Sequence, residues 1–362
     1  MCLQDITLWY SCAMNTKVLK KRRKTRSVMV GGVGIGGNNP IRVQTMTNTD
    51  TLDIKKNVTQ INACAKAGAE LVRIAVPTLK HVDAFAEIKK QVKVPLIADV
   101  HFLPEVAFAV LKIADKLRIN PGNFDKKQLA KLARQSKIPI RIGVNHGSIK
   151  GDMVKAAIEY AKIFRENNFN DLVISVKSSD PLLMIATNRR LAKKLDEEGM
   201  NYPIHLGVTE AGNASEGRAK SIIGIGTLLL DGIGDTIRVS LTEDPANEIP
   251  VCYDILQATG RRITRAEFVS CPSCGRTLFD IEKVTNEIKK KLGHLAHLKG
   301  VKIAIMGCIV NGLGEMGDAD FGYVGAGSGK VNLYKKGKIV KRNVSEKDAV
   351  KELLKVVVDV RV

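Results

Sequence analysis

The stretch LIADVHFLPEVAFAVLKIADKLRIN, residues 96–120, decides the fold. Its first part, Leu96–His101, is a short apolar run that ends in two polar residues, Asp99 and His101. Pro104 then opens an amphipathic stretch to Ala114. A proline suits the first turn of a helix, where its missing N–H costs nothing. A second apolar run, Leu117–Asn120, closes the unit. Strand, helix and strand in about 25 residues is the pattern of a parallel crossover. The pattern recurs on both sides, with runs at Ile41–Thr47, Leu71–Pro77, Ile140–Asn145, Leu172–Ser178, Ile204–Glu210 and Ile237–Thr242. Helical stretches such as Asp53–Ala67 and Asp180–Glu198 lie between them. Eight such units predict a closed (β/α)8 TIM barrel over residues 27–262, with an open doubly wound sheet as the competing architecture.

Gly32 to Gly37 spells G-x-G-x-x-G. A dinucleotide fingerprint must leave a strand and open a helix, whereas here Asn38-Asn39-Pro40 and another strand follow. The stretch therefore reads as a hairpin closing the bottom of the barrel. After residue 262 the pattern changes. Glu267–Ser270 and Val301–Met306 read as strands, and Thr277–Leu295 as a helix with Thr277 at its N-cap. Val331–Tyr334 and Lys338–Lys341 form a hairpin, and Ser345–Val357 a last helix. Residues 263–362 are thus expected to form a separate small α/β domain.

The chain has 57 basic and 37 acidic residues, a net charge of +20. Such an excess points to an anionic substrate, nucleic acid or a membrane surface. Seven basic residues fall between Lys17 and Arg26, and residues 1–26 read as a solvated basic tail, with a nucleic-acid arm as the alternative. No apolar run is long enough for a membrane span, and no secretory signal is legible, so a cytoplasmic location is expected. Clustered cysteines in that compartment suggest a metal or catalysis rather than disulfides.

Chemistry in such barrels sits at the C-terminal ends of the strands. Those ends carry Gln44, Thr47, Arg73, Asp99, His101, Arg118, Asn120, Arg141, Asn145, Lys177, Ser178, Glu210, Arg238 and Ser240. Residues two apart on a strand share a face, so Asp99 and His101 pair, as do Arg118 with Asn120 and Arg238 with Ser240. Five cations, Arg73, Arg118, Arg141, Lys177 and Arg238, around one mouth are costly to bury unless an anion compensates them. A phosphate or diphosphate does so, since guanidinium forks grip its oxygens bidentately. Asp99 and Glu210 are the acidic exceptions, and either suits general acid or base work.

Cys271-Pro272-Ser273-Cys274 follows one strand of the second domain, and Cys308 follows the next. Three thiolates suit zinc or an iron–sulfur cluster. A closed zinc site needs a fourth Cys or His, but His294 and His297 end a helix leading away, and Cys64 and Cys252 read as core residues. Glu315, on the glycine-rich loop of Cys308, is the natural fourth partner: a weak carboxylate ligand that leaves easily and opens one iron.

These motifs resemble a known family. Val43–Asp50, Ala98–Phe102, Arg118–Asn123, Arg141–Asn145, Thr209–Gly212, Cys271–Arg276 and Gly307–Glu315 are similar to the 4-hydroxy-3-methylbut-2-en-1-yl diphosphate synthases, from about Arg22 to the C-terminus. The resemblance implies a [4Fe-4S] cluster on Cys271, Cys274, Cys308 and Glu315. It implies two-electron reductive ring opening and dehydration of 2-C-methyl-D-erythritol 2,4-cyclodiphosphate in isoprenoid precursor biosynthesis, with ferredoxin or flavodoxin as donor. It implies a head-to-tail homodimer of a two-domain form. Arg73, Arg118, Arg141, Asn145, Lys177, Arg238 and Ser240 would grip the diphosphate. Asp99, His101 and Glu210 would face the carbon skeleton, with Glu210 preferred as proton donor. The competing reading is a zinc-containing nucleic-acid-binding protein with a basic arm.

Overall fold

The computed structural model describes residues 19–145, 151–293 and 295–358. They form two compact units, divided between Arg262 and Ile263. The first unit opens on an antiparallel hairpin, β1 (Val28–Val30) and β2 (Val33–Ile35). Eight parallel strands follow: β3 (Arg42–Met46), β4 (Leu71–Ala75), β5 (Leu96–Val100), β6 (Lys116–Ile119), β7 (Ile140–Asn145), β8 (Leu172–Lys177), β9 (His205–Leu206) and β10 (Thr236–Ile237). Their order is β8-β7-β6-β5-β4-β3-β10-β9. A parallel bridge from Ile174 to Ile204 joins the ends and closes the barrel.

Alternation along each strand sorts the side chains. Leu117, Ile119, Ile140, Ile142 and Val144 belong to the large core beneath the helices. Arg141, Gly143 and Asn145, one position out of phase, line the mouth. The hairpin stoppers the other end, where Val30 and Ile35 bury against Leu71 and Ile97.

The connecting helices start on side-chain caps. Asp53 accepts from Lys56 N–H, Asp125 from Gln128 N–H and Asp180 from Leu182 N–H, each satisfying an otherwise orphaned amide. The Ile54–Ala67 helix ends on Gly68 at φ 107°, the left-handed cap that glycine adopts without strain.

The structure departs from the sequence reading in several places. The last two barrel strands are two residues each; beyond them, single bonds such as Arg238 N–H to Leu206 O (3.0 Å) and Thr209 N–H to Ser178 O (3.1 Å) replace a paired ladder. The helix from Pro104 ends at Val110. The helix of the second unit runs from Ile281 to Leu292 with Asp280, not Thr277, as its cap. Finally, the basic run from Leu19 to Arg26 is no free tail. Its backbone bonds to Leu230, Gly232 and Asn201, Arg22 pairs with Asp235, and Arg23 pairs with Asp196. Lys17 lies outside the described residues.

The second unit is a five-stranded sheet: β11 (Glu267–Ser270), β12 (Lys302–Met306), β13 (Phe321–Gly327), β14 (Lys330–Lys335) and β15 (Lys338–Ser345). The strands lie in sequence order, the first three parallel and the last two added as antiparallel neighbours. The Ile281–Leu292 and Glu346–Val358 helices cover one face through Ile288, Leu292, Leu353 and Val357, which share a core with Ile303, Ile305 and Tyr323. Among the described residues, no helix is long and apolar enough to cross a membrane.

Candidate functional site

The C-terminal ends of the barrel strands surround a cavity of about 250 Å³. Arg73, Asp99, His101, Arg118, Arg141, Asn145, Lys177, Arg238 and Ser240 all line it. Gly143 explains how so many long side chains fit. A Cβ there would stand 2.8 Å from Arg118 Nε and 2.9 Å from its Nη2, so the guanidinium crosses the floor where another residue would have a side chain.

The acids are spent on particular cations. Asp99 is a two-way clamp: Arg73 Nη1 donates to its Oδ2 at 2.8 Å, and Arg118 Nη1 to its Oδ1 at 2.9 Å. Burial alone would raise this carboxyl, but the two guanidinium charges outweigh it and hold it well below the usual range. His101 Nε2 accepts from Arg118 Nη1. Arg238 donates to Glu248 from Nε (3.1 Å) and from Nη2 (3.0 Å). Glu248 also accepts from Thr45 and is 1% exposed.

Among the described residues, Arg141 and Lys177 receive no such carboxylate. Arg141 is 2% exposed, and its Nε and Nη1 have no partner among the described residues. Burial, then the like charges of Arg73 and Arg118, push its pKa well down. Lys177, partly buried at the wall, is likewise held well below the ordinary lysine range, by burial first and then by Arg141 and Arg73. Five cations face Asp99 and Glu248, so three positive charges remain to be matched.

Other strand-end residues do different work. Asn120 accepts from Gly122 N–H and caps a short turn over Pro121–Asn123. Glu210 and Ser178 line an adjoining cavity of about 340 Å³, which shares Asn145, Lys177 and Thr209 with the mouth. Glu210 is exposed and stands at φ 53°. That left-handed conformation is strained for a non-glycine residue and recurs at functional sites.

Glu248 escaped the sequence reading because it comes from the Glu248–Ala258 helix rather than from a strand end. Lys116 and His205 were also missed. Both are fully buried, and Lys116 Nζ and both His205 ring nitrogens lack partners among the described residues. Period-two alternation signals Lys116, since it shares a face with Arg118.

In the second unit, Cys271 follows β11, Cys308 follows β12, and Glu315 ends a short helix, Ile309–Glu315, in place of the expected loop. Gly312 lets that helix lie on the sheet, since a Cβ there would meet Val324 at 3.0 Å. Cys271, Cys274, Cys308 and Glu315 together wall a cavity of about 200 Å³, far more than one ion or water needs. Among the described residues, no three Cys, His, Asp or Glu side chains converge on one point; these four stand around a space instead. The three thiols are free, and Cys271 Sγ accepts from Gly307 N–H at 3.3 Å. Three thiols, one carboxylate and an N–H···S bond fit a polynuclear iron–sulfur group. Cys64 and Cys252 are core residues, with the Cys252 thiol pushed up to about 12 by burial.

Comparisons with known proteins agree with this architecture. Among solved structures, a dihydropteroate synthase from Stenotrophomonas maltophilia matches 65% of this chain and 98% of its own at a TM-score of 0.50 and 15% identity, a likeness of fold alone. Three relatives bear the name 4-hydroxy-3-methylbut-2-en-1-yl diphosphate synthase (ferredoxin). That of Prochlorococcus marinus is 45% identical over 94% of this chain and 93% of its own length. That of Trichodesmium erythraeum is 47% identical over 93% and 92%, and that of Synechocystis 46% identical over 93% of each. Family models for the GcpE TIM-barrel domain and the GcpE protein C-terminal domain match residues 25–253 and 267–359. The chain therefore belongs to the GcpE family.

Proposed function

We propose that this chain is a 4-hydroxy-3-methylbut-2-en-1-yl diphosphate synthase of isoprenoid precursor biosynthesis. It opens the ring of 2-C-methyl-D-erythritol 2,4-cyclodiphosphate reductively, taking up two electrons and two protons and releasing one water. The observation that carries the reading is the uncompensated charge of the mouth, with Arg141 buried and without a carboxylate. A buried guanidinium left in that state demands an anion, and a cyclic diphosphate supplies oxygens enough for Arg73, Arg118, Arg141, Asn145, Lys177, Arg238 and Ser240.

Cys271, Cys274, Cys308 and Glu315 are the residues to hold a [4Fe-4S] cluster. When bound, that cluster supplies the electrons one at a time, received from ferredoxin or, in a second version, flavodoxin. Glu315 would be its weak ligand. The surroundings of the two acids support different roles for them. Asp99 is clamped as a carboxylate between Arg73 and Arg118, which makes it a poor proton donor and a good holder of those arginines. Glu210 stands outside the clamp, on a strained turn beside the mouth, and is assigned the proton delivered to the departing hydroxyl. His101, fixed by Arg118, faces the carbon skeleton. The active form is read as a head-to-tail homodimer, so a Cys308→Ser chain mixed with an Arg141→Met chain should regain activity.

Anaerobically purified protein should be brown and should convert the cyclic diphosphate with reduced ferredoxin. Glu315→Cys should keep the colour and lose most turnover. A colourless protein with stoichiometric zinc would overturn the proposal.

A further inference from the structure

We propose that Thr277, which is neither a ligand nor a substrate contact, is the positioning residue that holds the two cysteine-bearing loops in register. The inference rests on the cluster reading of the second unit's cavity. It arises from the displaced helix cap. With Asp280 taking Lys283 N–H at 3.0 Å, the Thr277 side chain is released from the helix and turns to the loop before it. Its hydroxyl accepts from Cys274 N–H at 2.9 Å and from the Ser273 hydroxyl at 3.1 Å. Its own N–H donates to Cys274 O at 2.9 Å. Three bonds thus tie one residue to the Ser273–Cys274 pair, and Ser273 is held at φ 71°, a conformation that a serine does not keep without support.

The other side of Thr277 meets the second loop. A Cβ on Gly307 would lie 2.8 Å from Thr277 Cγ2 and 2.9 Å from its Oγ1, so the threonine packs directly on the Gly307 backbone. Leu278 N–H donates to Gly307 O at 3.0 Å. Gly307 in turn donates to Cys271 Sγ and precedes Cys308 in the chain. Thr277 therefore touches, directly or through one bond, the segments that carry all three thiols. The hydroxyl fixes Cys274, and the same Oγ1, with Cβ at its side, rests over Gly307, two atoms that a serine also supplies.

The test is the rate at which anaerobically reconstituted full-length protein gives up iron to a ferrous chelator, followed by loss of visible absorption and by iron content. Thr277→Val keeps the shape and removes the hydroxyl. It should lose iron about three- to tenfold faster than the parent, the range of one net hydrogen bond. Thr277→Ser keeps the hydroxyl and should stay within about twofold of the parent. Gly307→Ala should behave like Thr277→Val, because the new Cβ displaces the threonine. Iron release from Thr277→Val at the parental rate overturns the proposal. So does a Thr277→Ser protein as labile as Thr277→Val, which would place the effect in packing alone. A parent that takes up no iron overturns the cluster reading first and this inference with it.

Discussion

Arg141 is where stability and function pull apart. It is buried among like charges and lacks a carboxylate, so replacing it with an apolar residue of similar length removes an energetic liability. Arg141→Met should stabilise the ligand-free barrel by about 1–3 kcal/mol in urea titrations, yet lose inorganic diphosphate binding by calorimetry. Lys177 gives a pH signature. Its pKa in the folded chain is depressed, so the folded state binds fewer protons there than the unfolded state, and stability rises with pH through that window. An oxyanion at the mouth reverses the depression. Binding of inorganic diphosphate should be accompanied by proton uptake at the mouth, and affinity should fall as pH rises through the same window. Calorimetry in two buffers of different ionisation enthalpy measures this. Glu210→Gln should leave that binding intact while slowing turnover by about 100-fold or more; weakened binding instead would make Glu210 structural. The cations were legible because strand-end position and period-two facing depend on sequence alone. Their pairing was not, since Asp99 holds Arg73 and Arg118 from the strand between theirs, and Glu248 reaches Arg238 from a helix.

At the scale of elements, the Glu248–Ala258 helix acts as a brace. Glu248 in its first turn ties Arg238, Thr45 and Leu241 N–H together. Glu248→Ala should cost about 3 kcal/mol in chemical denaturation, because it strands a partly buried guanidinium and leaves the hydroxyl of Thr45 only a long contact to Pro245 O (3.5 Å). Element type was easy to read where periodicity was long, as in Ile54–Ala67, and harder at ends. Thr277 and Asp280 are both good capping residues, and only the contacts of Thr277 with Cys274 and Gly307 decide between them. The same holds for Ile309–Glu315, where two glycines suggested a loop but Gly312 is needed for the helix to approach Val324. The shortness of β9 and β10 was also invisible, because apolar runs fix burial, not ladder length.

For the whole molecule, two compact units predict two responses to metal removal. On the proposed cluster reading, chelation should lower the melting of residues 263–362 and leave the barrel's transition within about 2 °C; scanning calorimetry with and without chelator resolves the two. Chain organisation was legible from the change of pattern near residue 262. The basic run was misread because charge density suggests solvent, whereas Arg22, Arg23 and Arg26 spend their donors on barrel carbonyls and carboxylates. The hairpin beneath the barrel has a consequence for traffic. Val30 and Ile35 cork that end with side chains of zero exposure, so among the described residues that end of the barrel is shut. Whatever leaves must go out the way its successor comes in, and a departing diphosphate blocks the next arrival until it clears. Product inhibition should accordingly be competitive in steady-state kinetics, with inorganic diphosphate waiting in the same queue.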